Sequence, residues 1–428
     1  MTWTIGVDVG GTFTDFHARN EVSGKEIVFK RPSTPHDPGE AILKGLEEME
    51  QVHDLHITEV TRIAHGTTVA TNALIQRKGA TIAAVATKGF RDLLEIGRQV
   101  RPHMYDLNLD KPAPLASETM RFEVSERLNW QGKVVTPLTD AEVKKVAQEV
   151  VDSGAEAVAI CFLFAYLNPT HERKLRDAIL TLKPNMRISL ASDVQPEFRE
   201  YERFQTTAIN AYLQPLLASY VEQLAKGLTN SVGSATLGIN QSSGGLMSAE
   251  RTAAFPVRTA LSGPAAGAVG AAHIARDAER PFVITLDMGG TSADVALITD
   301  GDTEITFQRD VAGFPIRLAM VDIDTVGAGG GSIAWFERDG LLKVGPISAG
   351  AVPGPACYGQ GGTEPTVTDA NLVLGRLSEA GLLDGTLPLN RESAISAVQS
   401  IADRIGVSLE EASLGILAIA VSNMSRSV

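Results

Sequence analysis

The stretch "DVGGTFTD", Asp8 to Asp15, places two glycines between two strand-like runs, with an aspartate at each end; the same arrangement returns as "DMGGTSAD", Asp287 to Asp294. Around the first copy, "WTIGV" and "FTDFHA" read as strands, "KEIVFK" as a third, and a helix follows with Asp37 as N-cap, Pro38 at N1 and Ile42, Leu46 and Met49 on one face. Around the second copy, the strands "PFVITLDM" and "ADVALITD" flank Gly289 and Gly290. Between them, strand-like runs such as "TIAAVAT" and "AVAICFLF" alternate with helices opened by Thr139 with Glu142 and by Asn168 with Pro169, which is an α/β pattern. From Glu197 to Leu228 the chain predicts one long helix, or two joined at Pro215. Three segments follow from this: a first lobe over 1–195, a helical crossover over 196–230, and a second lobe over 231–428 that ends in helices beginning near Asp369, Asn390 and Ser408. No Gly or Pro stop follows the last helix's apolar face at Ile416, Ala420 and Met424 before Val428, which predicts a chain that continues.

With 428 residues the chain is long enough for two or three cores. Its 21% charged residues and mean hydropathy of +0.03 are those of a folded α/β protein rather than a disordered one. A formal net charge of −13 argues against a nucleic-acid partner, which asks for a basic face. No apolar run approaches the roughly 18 residues that span a bilayer, so no membrane role is expected; Cys161 and Cys357 are the only cysteines, and a cytoplasmic setting is expected.

A single Gly-Gly between strands has an ordinary explanation in a turn that needs positive φ. Two copies point further, to a pair of turns facing across a cleft, whose backbone N–H groups suit the β- and γ-phosphates of a nucleotide. In that reading Gly10, Gly11, Gly289 and Gly290 admit the phosphates, Thr12 and Thr291 add hydroxyls with Thr14 and Ser292 beside them, and Asp8 and Asp287 hold hydrated Mg²⁺ or Mn²⁺. Asp15 and Asp294 orient the hairpins or the metal waters. No Gly-Lys-[Ser/Thr] follows a glycine-rich turn, so the site is not a Walker-A loop. In "HGTTVATNALIQRKGA", Thr67 or Thr68 caps a helix, or His65 and Asn72 approach the reacting group. The loop "GAGGGS", with Gly329, Gly330 and Gly331, is either flexible or lies against the nucleotide.

The blocks "GVDVGGTFTD", "HGTTVATNALIQRKGA", "QSSGGLMS", "SGPAAGAVGA", "LDMGGTSADVA", "DTVGAGGGSIA", "GPISAGAVPGPACYGQGG" and "PTVTDANLVLGRL", in this order, resemble the hydantoinase A/oxoprolinase family of the actin-like, sugar-kinase and heat-shock ATPase superfamily. The resemblance implies two actin-like (ribonuclease H-like) α/β lobes around a nucleotide cleft. It implies an A subunit that uses ATP and Mg²⁺ to phosphorylate the oxygen of a cyclic amide (a hydantoin, 5-oxoproline or another lactam), with a hydantoinase B-type subunit completing the ring opening. Sister enzymes carboxylate acetone or acetophenone instead. An actin- or chaperone-like protein gated by the nucleotide is the remaining alternative. The family chain continues into a further glycine-rich segment expected to hold the adenosine.

Overall fold

The computed structural model describes residues 3–10, 13–34, 38–53, 55–101, 103–106, 108–233, 235–381 and 387–427. Trp3–Val9 (β1), Phe13–Asn20 (β2) and Glu26–Pro32 (β3) form an antiparallel meander. Helix Pro38–Val52 (α1) buries Ile42, Leu46 and Met49; its expected cap, Asp37, lies outside the described residues. Val60–Thr67 (β4) then pairs parallel with the free side of β1 and runs into helix Val69–Ile75 (α2). Alternation decides the faces of β1: Trp3, Ile5, Val7 and Val9 are at most 5% exposed, and Asp8 stands on the opposite side.

A second sheet follows, built from Ile82–Thr87 (β5), Arg121–Val124 (β6), Ala157–Cys161 (β7) and Arg187–Leu190 (β8) in the order β8-β7-β5-β6, all parallel. Every residue of β5 and β7 is buried, as expected of parallel strands covered on both faces. Helices Asp140–Asp152 (α3) and Thr170–Leu182 (α4) cover one face. The Thr139 hydroxyl accepts from the Glu142 N–H, but the Glu142 carboxylate accepts from Ser125 N–H instead of returning to the cap, so only half of the expected capping box forms.

On α4, Glu172 is wholly buried, with its two oxygens accepting from the N–H groups of Phe162 and Ser192 at 3.0 Å each. Burial outweighs those bonds and pushes its pKa from 4.5 up to about 7. In the unfolded chain Glu172 ionises near the ordinary value, so the folded state holds an extra proton between the two. This group's contribution to stability is therefore fully present below about pH 4.5 and is lost as pH rises to about 7, by roughly 3 kcal/mol in all. Urea midpoints measured across that window should fall with pH more steeply in the wild type than in Glu172→Gln; parallel profiles would refute the assignment.

Helix Glu200–Val232 (α5) is unbroken despite Pro215. Within the segment 196–230, which reads in sequence as a helical crossover, Leu213 and Leu217 share one core with Ile5 and Val7 of the first sheet and Ala84, Ala159 and Cys161 of the second. A helix covered on both sides has no polar stripe, and its sequence gives little sign of which body it serves. The chain then returns to the first sheet. Thr236–Asn240 (β9) pairs parallel with β4 and Leu246–Ser248 (β10) antiparallel with β9, giving the order β10-β9-β4-β1-β2-β3. Residues 236–248, which sequence alone places at the start of the second lobe, thus hydrogen-bond into the first.

Helix Ser262–Asp277 (α6) leads to Phe282–Met288 (β11) and Ala293–Thr299 (β12), the second hairpin, with Asp302–Thr303 (β13) and Ile323–Val326 (β14) also pairing with β12. The hairpin Ser332–Phe336 (β15) and Leu342–Ser348 (β16) packs with helices Val367–Val373 (α7), Arg391–Ile405 (α8) and Leu409–Met424 (α9) around a separate core. Asn390 caps α8, and Ser408 with Glu411 forms a complete capping box on α9. Among the described residues no single helix is long and apolar enough to cross a membrane.

Candidate phosphate site between two hairpins

The two hairpins close with the same bond: Gly10 N–H to Phe13 O and Gly289 N–H to Ser292 O, both 2.9 Å. Register sets Asp8 opposite Asp15 and Asp287 opposite Asp294. None of Gly10, Gly289 and Gly290 has positive φ, so turn conformation does not account for them. A Cβ on Gly290 would meet no atom within 4 Å, leaving the turn open where an incoming oxygen would need room. Gly11 and Thr12 lie outside the described residues.

Asp8 opens into the cleft over three residues that the sequence reading did not single out. A Cβ on Gly66 would stand 2.8 Å from Asp8 Oδ1 and 3.5 Å from Asn240 Nδ2, and one on Gly263 would stand 3.8 Å from the same oxygen. The glycine inside "HGTT" and the one inside "SGP" were the available signals; Asn240, a strand-end residue, had none. The Asp8 carboxyl has its pKa raised, by burial first, then by Asp15 and by Asp287, with Lys30 acting against them. Asp15 is paired with Lys30 at 2.9 Å. Asp294 is raised by burial, drawn back by the Thr325 hydroxyl that donates to it at 2.6 Å, and raised again by Asp287. Asp8 and Asp287 are left without an ion-paired cation among the described residues.

The glycine-rich loop is clamped to the second hairpin. Gly330 N–H donates to Gly289 O at 3.0 Å and Gly331 N–H to Gly290 O at 2.6 Å, while Gly329 N–H donates to Ser332 Oγ at 2.8 Å. A Cβ on Gly329 would lie 2.6 Å from Thr291 N. Backbone packed on backbone explains these glycines, and the loop's contact is with the hairpin that carries Thr291 and Ser292.

Two expected site residues face elsewhere. Thr14 is buried, its hydroxyl 2.9 Å from that of Ser33, which in turn donates to Gly10 O; it ties the turn to the end of β3. His65 is also wholly buried, with Nε2 2.7 Å from Tyr220 Oη and Nδ1 3.4 Å from Val7 O. Burial lowers its pKa to about 4, so the ring is neutral at pH 7, and its two contacts join β1 to α5. Its inward direction follows from strand alternation on β4, which the short motif did not reveal. Asn72 is exposed, bonds Thr68 Oγ1 at 3.2 Å, and lines a cavity of about 570 Å³ that reaches Val9 and Gly10. A second cavity, about 280 Å³, lies beneath the other hairpin beside Asp287, Asp294 and Gly267.

Two α/β lobes, each presenting an equivalent β-hairpin, define an actin-like architecture. The chain belongs to the hydantoinase/oxoprolinase family: the family's N-terminal region matches residues 4–182, and the hydantoinase/oxoprolinase domain matches 203–428. It is 37% identical to the caprolactamase subunit alpha of Pseudomonas jessenii over 97% of this chain and 61% of that one. It is 35% identical to the acetophenone carboxylase gamma subunit of Aromatoleum aromaticum, covering 99% and 60%, and 34% identical to 5-oxoprolinase 1 of Arabidopsis thaliana, covering 99% and 36%. The crystal structure of the ATP-dependent caprolactamase from P. jessenii superposes with a TM-score of 0.84 at 36% identity, over 99% of this chain and 63% of that one. The chain thus spans about three-fifths of the length of the caprolactamase subunit.

Proposed function

We propose that this chain is the ATP-using part of an enzyme that opens a cyclic amide together with a B-type subunit. The observation that supports the reading is the pair of equivalent hairpins, each closed by the same glycine N–H bond and each setting one aspartate opposite another across its strands. An unstrained amide is a poor electrophile. Attack of its oxygen on the γ-phosphorus of ATP forms a new P–O bond and breaks the bond to ADP, leaving an imidate phosphate whose carbon accepts water. The ring C–N bond then breaks with a proton passing to nitrogen, and a second water releases phosphate from the acyl phosphate that remains.

This chain's contribution is to hold the phosphates between the Gly10 and Gly289–Gly290 turns and to bring the reactants into line, which is most of what phosphoryl transfer asks of a protein. Asp8 and Asp287 fit a hydrated Mg²⁺: they are two mutually repelling, cleft-facing carboxylates, and among the described residues no cluster of three ligand-type side chains suits a more fully protein-bound ion. Such an ion would neutralise charge on the β- and γ-phosphates.

The similarity to the acetophenone carboxylase subunit supports a second reading, in which a ketone is the acceptor. ATP turnover by the complete protein with its B-type partner separates the two, using hydantoins, 5-oxoproline, caprolactam, and acetone or acetophenone with bicarbonate. Stimulation of about tenfold or more by a cyclic amide is expected. Stimulation by ketones alone would transfer the protein to the carboxylases, and none by any acceptor would leave a nucleotide-gated binding protein.

A further inference from the structure

The block "PTVTDANLVLGRL" lies outside both hairpins, yet the helix it forms, α7, reaches the second of them through one residue. Thr368 donates twice to the carbonyl oxygen of Gly330, from its N–H and from its Oγ1, each at 2.8 Å. A Cβ on Gly330 would stand 2.9 Å from that hydroxyl, so the contact asks for a glycine there. From this loop the bonds continue to the hairpin, since Gly330 and Gly331 donate to the carbonyls of Gly289 and Gly290. Helix α7 is itself held in place. Its Asp369 is wholly buried and accepts from Cys357 N–H at 2.8 Å, Ala356 N–H at 3.3 Å, Thr366 N–H at 3.0 Å and Thr366 Oγ1 at 2.7 Å, while Val367, Ala370 and Leu372 enter the core shared with α8 and α9.

The peptides on either side of Gly290 are trans, and a trans peptide sends its N–H away from its C=O. With the carbonyls of Gly289 and Gly290 turned to the loop, the N–H groups of Gly290 and Thr291 turn away from it, and among the described residues neither makes a hydrogen bond. We propose that Thr368 is a positioning residue for the nucleotide: through Gly330 it fixes the two carbonyls and so aims these two N–H groups at the β- and γ-phosphates. The proposal rests on the phosphate-site reading above and adds to it a residue that itself touches no phosphate. One bond would let the loop pivot about the Gly330 oxygen. The second, from a side chain on a helix packed into its own core, removes that freedom.

Calorimetric titration of the complete protein with β,γ-imido-ATP and with AMP, both in Mg²⁺, isolates what the β- and γ-phosphates contribute, because AMP lacks them. The wild type should bind the triphosphate analogue more tightly than AMP. Thr368→Val keeps the shape and the backbone bond but loses the hydroxyl, and should lower that preference about fivefold, the scale of one hydrogen bond, with AMP binding unchanged within about twofold. Thr368→Ser keeps the hydroxyl and should restore the preference, whereas a merely structural role would weaken both ligands alike. Gly330→Ala presses on the same contact from the loop side and should lower the preference as well, which keeps the proposal testable should Thr368→Val not fold. A preference within about twofold of wild type in Thr368→Val or Gly330→Ala, an equal loss for the two ligands, or a Thr368→Ser that behaves as Thr368→Val would overturn the positioning role and leave the phosphate site standing. A wild type that binds the analogue no more tightly than AMP removes the phosphate-site reading and this proposal with it.

Discussion

Asp8→Asn and Asp287→Asn should each abolish Mg²⁺-dependent ATP turnover in the complete protein, by about 10³-fold or more, the scale on which preorganised electrostatic groups act. The same substitutions should leave the thermal midpoint unchanged or raised. Asp8 is a carboxyl whose ionised form is disfavoured by burial and by Asp15 and Asp287, so at pH 7 its charge costs stability, and the neutral amide removes that cost. Loss of activity without loss of stability marks a group retained for function. The raised pKa also fixes a direction in pH. As pH falls through it, Asp8 takes a proton that competes with the cation, so the Mg²⁺ concentration for half-maximal turnover should rise toward acid pH, and added Mg²⁺ should recover the rate. Asp15 is occupied by Lys30, and Asp15→Asn should cost far less. Wild-type turnover in both Asp8→Asn and Asp287→Asn would sink the phosphate-site assignment.

The parts of this fold legible in the sequence are those with a local cause. The hairpins, the Asn390 cap and the Ser408–Glu411 box each depend on residues a few positions apart, and each is present. Illegible parts depend on what a segment meets after the chain has turned back. Residues 202–214 of helix α5 are all buried whatever their polarity, because two sheets cover that stretch, and nothing within residues 200–232 says which sheets. Strand Thr236–Asn240 reads the same whether it joins the first sheet or starts another. His65 belongs to a motif that suggested chemistry, yet the alternation of β4 turns it beneath β1 onto Tyr220. The repeat has a similar limit. Trp3, Ile5, Val7 and Val9 align with Phe282, Ile284, Leu286 and Met288; the first set is at most 5% exposed and the second at least 40%. Identical patterning gave equivalent strands, while the cover each strand receives depends on its neighbours. β1 pairs on both sides, and β11 pairs with β12 alone among the described residues.

Gly329→Ala and Gly290→Ala should separate the two uses of glycine in the second lobe. A methyl on Gly329 would lie 2.6 Å from Thr291 N and 2.7 Å from Gly290 C, contacts with backbone that no side-chain rotation relieves. The loop or the hairpin must shift, straining the bonds from Gly330 and Gly331 to the carbonyls of Gly289 and Gly290. Overpacking of this kind costs about 1–3 kcal/mol, and an ångström of displacement at a reacting group costs about 10²-fold in rate. Gly329→Ala should therefore lower the thermal midpoint by several degrees and ATP turnover by about 10²-fold. Gly290→Ala should behave differently. Its methyl would meet nothing within 4 Å and its φ is not positive, so stability should hold within about 0.5 kcal/mol. Turnover should still fall, because the open space beside Gly290 is where the phosphates are proposed to approach. Calorimetric melting and ATP turnover on the two variants give four readings. Wild-type turnover in Gly329→Ala would show that the loop does not set the hairpin, and wild-type turnover in Gly290→Ala would show that no ligand comes near that turn.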